Sequence, residues 1–281
     1  MKVFYNENQS VKSNKSISPS AGKPALLMAE LEKLSYIQIE SDWPPLSLKD
    51  FCLVHERKHV QEILNCKKAN GFGNYSKDVS DSLYWTSASF YHAARYAYVN
   101  KTVAMSPTSG FHHAGYRSSG GFCTFNGLMI SAALLIKEFP DIKIGIIDLD
   151  AHFGNGTVEI IERLGLDIRH YTITDYIHEL KRKSQFEKMQ EFSDRDMIFF
   201  QAGADAHIDD PIGGGLTTEE LMVRDRTVFE YAKTKNIPLV WNLAGGYQTP
   251  VSRVIVLHMN TVKICNEVFE NTRNNVLNKK N

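Results

Sequence analysis

The chain has 281 residues, 43% of them hydrophobic, and its 32 Lys plus Arg balance 32 Asp plus Glu. That length suits one large α/β domain, and the zero formal charge argues against the broad basic footprint of a nucleic-acid binder. With 23% charged residues spread evenly and no run of about 18 apolar residues, no membrane role is expected and the chain reads as soluble.

The N-terminal MKVFYNENQSVKSNKS lacks an apolar core of about 7–15 residues, so no secretory signal is visible and a cytoplasmic location is expected. Residues 8–20 read as a loop. Residues 82–99, rich in small and aromatic side chains, read as a helix packed on both sides, followed by a short β-rich run at 102–105. Leu128, Ala132, Leu135, Ile136 and Phe139 recur at helical spacing, and Pro140 ends that helix. Further β-rich runs at 142–149, 168–173, 197–201 and 238–243 alternate with helical segments, the pattern of a largely parallel sheet. Thr217 and Glu220 have capping-box spacing, which predicts a helix from about 218 to 235. No repeat or linker divides the chain, so residues 1–281 form one domain, with 271–281 expected as a flexible tail. Cys52, Cys66, Cys123 and Cys265 are far apart and build no Cys-x-x-Cys unit, which argues against a zinc knuckle, a redox dithiol or a disulfide framework.

Ionisable residues cluster directly after the apolar runs. In an extended segment Asp148, Asp150 and His152 share one face. Two carboxylates and an imidazole there are costly to bury unless a cation compensates them; hydrogen bonding to helix N-termini is the plainer alternative. With Asp205 from the next cluster, Asp150 and His152 would form an open N/O site suited to zinc. The adjacent His112 and His113 are a weak signal alone, but beside a metal-activated water one imidazole can act as base while a neighbour fixes its tautomer. Gly121 can let the backbone approach a substrate, with Phe122 as an apolar wall, and Tyr247 after Gly245-Gly246 can aim a hydroxyl at a bound carbonyl. Each glycine-aromatic pair also reads simply as a turn. His170, His178, His207 and His258 read as structural, with His207 close enough in sequence to brace Asp205.

Taken together, SGFHHAGY (109–116), GGFCTFNG (120–127), DLDAHFGNGT (148–157), AGADAHIDDPIGG (202–214) and LAGGY (243–247) resemble the histone deacetylase superfamily, in the family's order; VHERKHVQEIL and NGFGN add its N-terminal part. The resemblance spans roughly residues 20–265. It implies the single-domain arginase/deacetylase fold, a central mostly parallel sheet flanked by helices. It implies one zinc ion held by Asp150, His152 and Asp205, and His112 and His113 as catalytic imidazoles. Asp148 would then stand behind His112 and Asn155 behind His113, with Tyr247 polarising the carbonyl and Gly121 and Phe122 lining the acyl-lysine tunnel. A structural potassium ion at Asp148 and Thr172 is implied as well.

The segment Asp-Ala-His-Phe-Gly favours one metal, because two-metal relatives place a carboxylate where Gly154 stands. Gly110-Phe111 replaces the family's usual Pro-Gly, Ala244 departs from LEGGY, and the His-Pro and Arg pattern common in eukaryotic members is missing. The leading expectation is a zinc-dependent lysine deacylase acting on proteins or peptides. The alternatives are an acetylpolyamine or other small-molecule amidohydrolase, and a non-catalytic acyl-lysine-binding module; the last conflicts with an intact set of ligands, histidines and tyrosine.

Overall fold

The computed structural model describes residues 1–12, 16–173 and 188–277, with side chains described to residue 270. Its centre is a seven-stranded sheet of β1 (Lys2–Phe4), β2 (Gln38–Glu40), β3 (Val103–Ser106), β4 (Ile144–Asp148), β5 (Ile168–Thr172), β6 (Met197–Gly203) and β7 (Leu239–Ala244). The order across the sheet is β2-β1-β3-β7-β6-β4-β5, and every pair is parallel. The five β-rich runs read from the sequence are β3 to β7, each shifted by a residue or two. Strands β1 and β2 were not anticipated: at three residues each they are too short for a periodic signal.

The central strands read as unbroken apolar runs because both faces are covered. In β6, Ile198, Phe200 and Ala202 join one core while Met197 and Phe199 join the other; in β7, Leu239, Trp241 and Leu243 face the first and Val240 the second. The first core is closed by α1 (Lys23–Leu31), α7 (Thr218–Thr234) and α8 (Ser252–Leu277); the second by α2 (Leu48–Phe51), α3 (Arg57–Leu64), α4 (Lys77–Asn100), α5 (Gly127–Glu138) and α6 (Asn155–Leu164). Removing each large side chain such as Trp241 or Phe199 from water contributes about 1.5–3 kcal/mol. The sheet is therefore a stiff platform for whatever its edges carry. No helix among the described residues is long and apolar enough to cross a membrane.

Local signals in the sequence act as read. The Thr217 hydroxyl accepts the Glu220 N–H and the Glu220 carboxylate accepts the Thr217 N–H, closing the capping box that starts α7, a device worth about 1 kcal/mol. Helix α5 ends at Glu138, one residue before Phe139-Pro140. Three expectations are corrected. Helix α4 begins at Lys77, where the Ser76 side chain caps it, because polar residues on its first turns hide the period. The stretch 8–20 is not all loop, since a 3-10 turn spans Glu7–Gln9. Helix α8 continues to Leu277, into the segment expected as a tail.

One level of the sheet is different. Ser106, Asn242, Gln201, Asp148 and Thr172 are register partners across five neighbouring strands, and all are buried. This polar row marks where the carboxyl ends of the strands stop building core, the place at which parallel sheets carry ligands.

Candidate active site

The chemistry-bearing residues leave the sheet just beyond that row. Asp148 ends β4 and is followed by Asp150 and His152; Asp205 lies two residues beyond β6, and Tyr247 three beyond β7. His112 and His113 lie on the loop after β3, and Asn155 opens α6. All these residues converge, and the described part of the chain holds one group able to bind a metal: Asp150, His152 and Asp205, whose ligand atoms lie within 4.8 Å of one another.

Whether a cation fits is decided by His152. Its Nε2 lies 2.9 Å from the Ile212 carbonyl, which can only accept, so Nε2 carries a hydrogen. Its Nδ1 lies 3.1 Å from Asp150 Oδ1 and 2.9 Å from Asp205 Oδ2. Without a metal, Nδ1 must hold a second proton between the two carboxylates, and their hydrogen bonds push the imidazole up to about 11. Burial and the neighbouring Asp150 charge raise the Asp205 carboxyl to about 7, whereas Asp150 is held below the usual range against its burial by His112 and His152. A dication at Nδ1 would take the place of that proton and compensate both carboxylates. Two carboxylates, one neutral imidazole and an open side are a donor set that fits zinc. Gly154 supports a single ion: a Cβ there would lie 2.7 Å from Asp148 Oδ2, so a further carboxylate cannot stand at that position.

The two adjacent histidines have different partners. His112 Nδ1 lies 2.7 Å from Asp148 Oδ2, and although burial works against its charge, Asp148 and Asp150 raise it to about 9. A dication among the ligands would offset those charges and draw His112 back down. His113 Nδ1 lies 2.6 Å from the Asn155 amide oxygen, a neutral acceptor, and burial together with His112 lowers its affinity for a proton. His113 therefore presents an unprotonated Nε2 at neutral pH. Asp148 is itself ionised, because His112 more than offsets its burial, and it accepts the Gln201 side-chain N–H at 2.9 Å.

The glycines beside these residues allow close approach. Gly121 has φ +52, and a Cβ on it would lie 2.3 Å from His113 Cδ2. Phe122 follows at φ +61, a conformation seldom adopted by a bulky residue; its N–H donates to the Gly71 carbonyl at 3.0 Å, and its ring packs 5.3 Å from that of Tyr247. Gly245 and Gly246 have φ +50 and +89 and turn the chain so that Tyr247 faces the site. The Tyr247 N–H is held by Asp210 at 2.8 Å, and burial, with Asp150 and Asp205 nearby, keeps the phenol protonated.

Several expected or unexpected neighbours complete the site. Thr172 Oγ1 accepts the Gly154 N–H at 2.9 Å. His207 does not brace Asp205: its ring bonds Thr218, Asp209 and Gln248, because the turn at 206–210 aims it back at α7. His170 Nε2 is 3.9 Å from Asp148 Oδ2, beyond hydrogen-bonding distance, and His178 lies outside the described residues. Sequence reasoning missed Gln201, Asp210, Arg224 and Lys23. Asp210 lies within the AGADAHIDDPIGG segment, and Gln201 ends the β-rich run 197–201 that directly precedes it. Arg224 is buried and donates through Nη1 to the carbonyls of Leu149 and Gly203, tying together the ends of β4 and β6. Lys23 is fully buried, and its ammonium donates to the Gly245 carbonyl; burial lowers it to about 8 against the pull of Asp205 and Asp150. Nothing in AGKPALL marks such a residue, since its partner is more than 200 positions away.

The family model for the histone deacetylase domain matches residues 20–165 and 164–262. Histone deacetylase 2 of Arabidopsis thaliana is 29% identical over 181 residues, covering 54% of this chain and 46% of that protein. Histone deacetylase 18 of the same plant is 34% identical over 126 residues, covering 39% of this chain and 18% of that protein. The chain thus matches less than half the length of these relatives. Among solved structures, the HDA15 HD domain superposes with a TM-score of 0.73 at 18% identity, covering 94% of this chain and 89% of that one. An acetylpolyamine aminohydrolase from Burkholderia pseudomallei superposes with a TM-score of 0.73 at 15% identity, covering 95% and 99%. At such identities these two establish the likeness of fold.

Proposed function

This chain belongs to the histone deacetylase family, and on that premise we propose that it is a zinc-dependent amidohydrolase that removes acetyl or other acyl groups from lysine side chains of proteins or peptides. The observation that carries this reading is the unequal support of the two histidines, a carboxylate behind His112 and an amide behind His113. An amide is a poor electrophile with a poor leaving group, so its hydrolysis needs both a base and an acid close to one carbon. The support of the pair supplies those two states side by side.

Asp150, His152 and Asp205 would hold the zinc, which when bound polarises the acyl oxygen and acidifies a water molecule. His113 accepts the water's proton at Nε2, the nitrogen left free by its bond to Asn155. The histidine pair then delivers that proton to the departing amine, and Asp148, bonded to His112 Nδ1, lowers the cost of positive charge on the pair. Tyr247 donates its hydroxyl hydrogen to the acyl oxygen as negative charge develops there; losing such a donor costs roughly 3–4 kcal/mol. Gly121 and Phe122 flank the approach to His113 and Tyr247 and suit the aliphatic part of a lysine side chain. A potassium ion beside Asp148 and Thr172 is part of the same reading, supported by the carboxylate and hydroxyl that both border Gly154.

Protein substrates are favoured over polyamines by the rim. Phe153, which follows the ligand His152, and Ile212, whose carbonyl accepts from it, are exposed and apolar, whereas a polycation calls for carboxylates. The test is parallel turnover of an acetyl-lysine peptide and acetylputrescine by the zinc-loaded protein. Faster peptide cleavage, reduced about 10²–10³-fold in kcat by Tyr247→Phe and by His113→Ala, is expected. A preference for acetylputrescine would transfer the substrate to the polyamine class, and unchanged kcat in both variants would overturn the mechanism.

A further inference from the structure

The sheet divides just before the metal ligands. Strands β4 and β6 stay in register up to Asp148 and Gln201, and the Leu149 N–H still donates to the Gln201 carbonyl at 3.1 Å. Beyond that point β6 continues beside β7 to the pair Gly203 and Ala244, while β4 has ended and its chain runs on through Asp150 and His152. The two ligand-bearing segments nevertheless stay in contact. A Cβ on Gly203 would lie 2.4 Å from Asp150 Cα, and the Ala151 N–H donates to Asp205 Oδ1 at 3.1 Å.

Arg224 of α7 stands at this split. It is 3% exposed, and a single nitrogen, Nη1, donates to the carbonyls of both segments, Leu149 at 2.9 Å and Gly203 at 2.7 Å. Leu149 directly precedes Asp150, and Gly203 lies two residues before Asp205. The rest of the guanidinium is held by its neighbour on α7, with Nε and Nη2 at 2.9 and 2.7 Å from Asp225 Oδ1. The other Asp225 oxygen accepts the Thr261 hydroxyl of α8 at 2.6 Å, so two helices brace one fork. A planar guanidinium keeps its acceptors at a set spacing, which an ammonium on a flexible stem does not. Stability alone does not account for the arrangement, because replacing a buried ion pair by apolar side chains of similar size is often neutral or stabilising.

We propose that Arg224 is a positioning residue for the metal: by gripping the carbonyls of Leu149 and Gly203 it holds Asp150 and Asp205 at ligand spacing before the ion arrives. The proposal rests on the zinc reading above and concerns how the site keeps its ligands together. Once the His152 ring proton leaves to let a metal in, the two carboxylates repel one another, and the backbone has to resist their separation. Arg224 supplies that resistance through main-chain atoms. Loss of such outer support weakens metal binding about 10–100-fold.

The experiment compares the unaltered chain with Arg224→Met/Asp225→Leu, which removes both charges and strands neither. Arg224→Lys keeps the charge beside Asp225 but loses the fork, and it carries the test if the double variant does not fold. The control is Arg226→Met on the same helix, where the arginine pairs with Glu230 and Glu267. The readouts are zinc Kd by competition with a chromophoric chelator and the visible spectrum of the Co²⁺-loaded protein, which reports ligand geometry. Both are taken where circular dichroism shows the metal-free chain folded. Both Arg224 variants should bind zinc about 10–100-fold more weakly and give an altered cobalt spectrum, with the control unchanged. Unaltered affinity and spectrum in the Arg224 variants would overturn the proposal and leave the zinc reading intact. An equal loss in Arg226→Met would trace the effect to general loosening of α7 and overturn it as well. No zinc uptake by the unaltered chain would sink the zinc reading and the proposal together.

Discussion

The Nε2 of His152 and the carbonyl oxygen of Ile212 are 2.9 Å apart, and this bond decides which ring nitrogen faces Asp150 and Asp205. Because the carbonyl takes the Nε2 hydrogen, the metal-free protein must carry a second proton at Nδ1, where the two carboxylates hold the imidazole up to about 11. Metal binding requires that nitrogen unprotonated. Zinc uptake near pH 7.5 should therefore release about one proton from His152, with a further fraction from Asp205, which burial and Asp150 raise to about 7. Calorimetric titration in buffers of different ionisation enthalpy measures this directly, and zinc affinity should weaken as pH falls. Uptake without proton release would contradict the tautomer assignment.

Asn155 supports His113 with a neutral amide oxygen at 2.6 Å. Asn155→Asp places a charge there and raises the affinity of His113 for a proton, by about 1–3 pK units for a contact this close. A base acts only when unprotonated, and its contribution is lost as pH falls through its pKa. The acidic limb of the kcat/KM profile should accordingly move to higher pH in this variant. An unmoved limb would show that His113 is not the base.

Two glycines in the same backbone conformation should respond differently to a methyl group. Gly165 has φ +59 with open space around it, so Gly165→Ala should cost about 1 kcal/mol in denaturant unfolding and keep its metal. Gly245 has φ +50, and a Cβ there would lie 2.2 Å from the carboxyl carbon of Asp205. Gly245→Ala should displace that ligand and emerge from purification with little zinc by elemental analysis. Equal metal content in the two variants would remove Asp205 from the ligand set.

Lys23 contributes a stability prediction. Its ammonium binds the Gly245 carbonyl from a fully buried position, and Lys23→Met keeps the length but removes the donor. An unsatisfied buried carbonyl costs about 1–3 kcal/mol, and the turn that carries Tyr247 loses its tether. A lower denaturation midpoint and a fall in kcat larger than any rise in KM are expected. A variant with unchanged unfolding and kcat would show that the turn holds its shape without Lys23.

How much of this was legible before the fold is seen most clearly at the sheet. The long apolar runs of β3 to β7 are audible in the sequence because parallel strands covered on both faces need them, and the acids that follow announced a site at the strand ends. The three-residue β1 and β2 carry too few residues for any period, and the sheet order depends on pairings far apart in the chain. The division of roles between the histidines followed from resemblance; the partners that give it a physical cause, Asp148 and Asn155, are brought in from 36 and 42 residues away.

The sequence by itself determined the α/β class and the set of residues able to hold a metal and move protons, because those depend on side-chain type and local spacing. Tertiary structure alone decided which nitrogen of His152 faces the acids, that Lys23 is buried under the Tyr247 turn, and that His207 points away from Asp205. It also set Ser106, Asn242, Gln201, Asp148 and Thr172 side by side in one buried row across the sheet. Hydrogen-bond direction and cross-strand register arise only when separate segments meet, and no pattern along the chain encodes them.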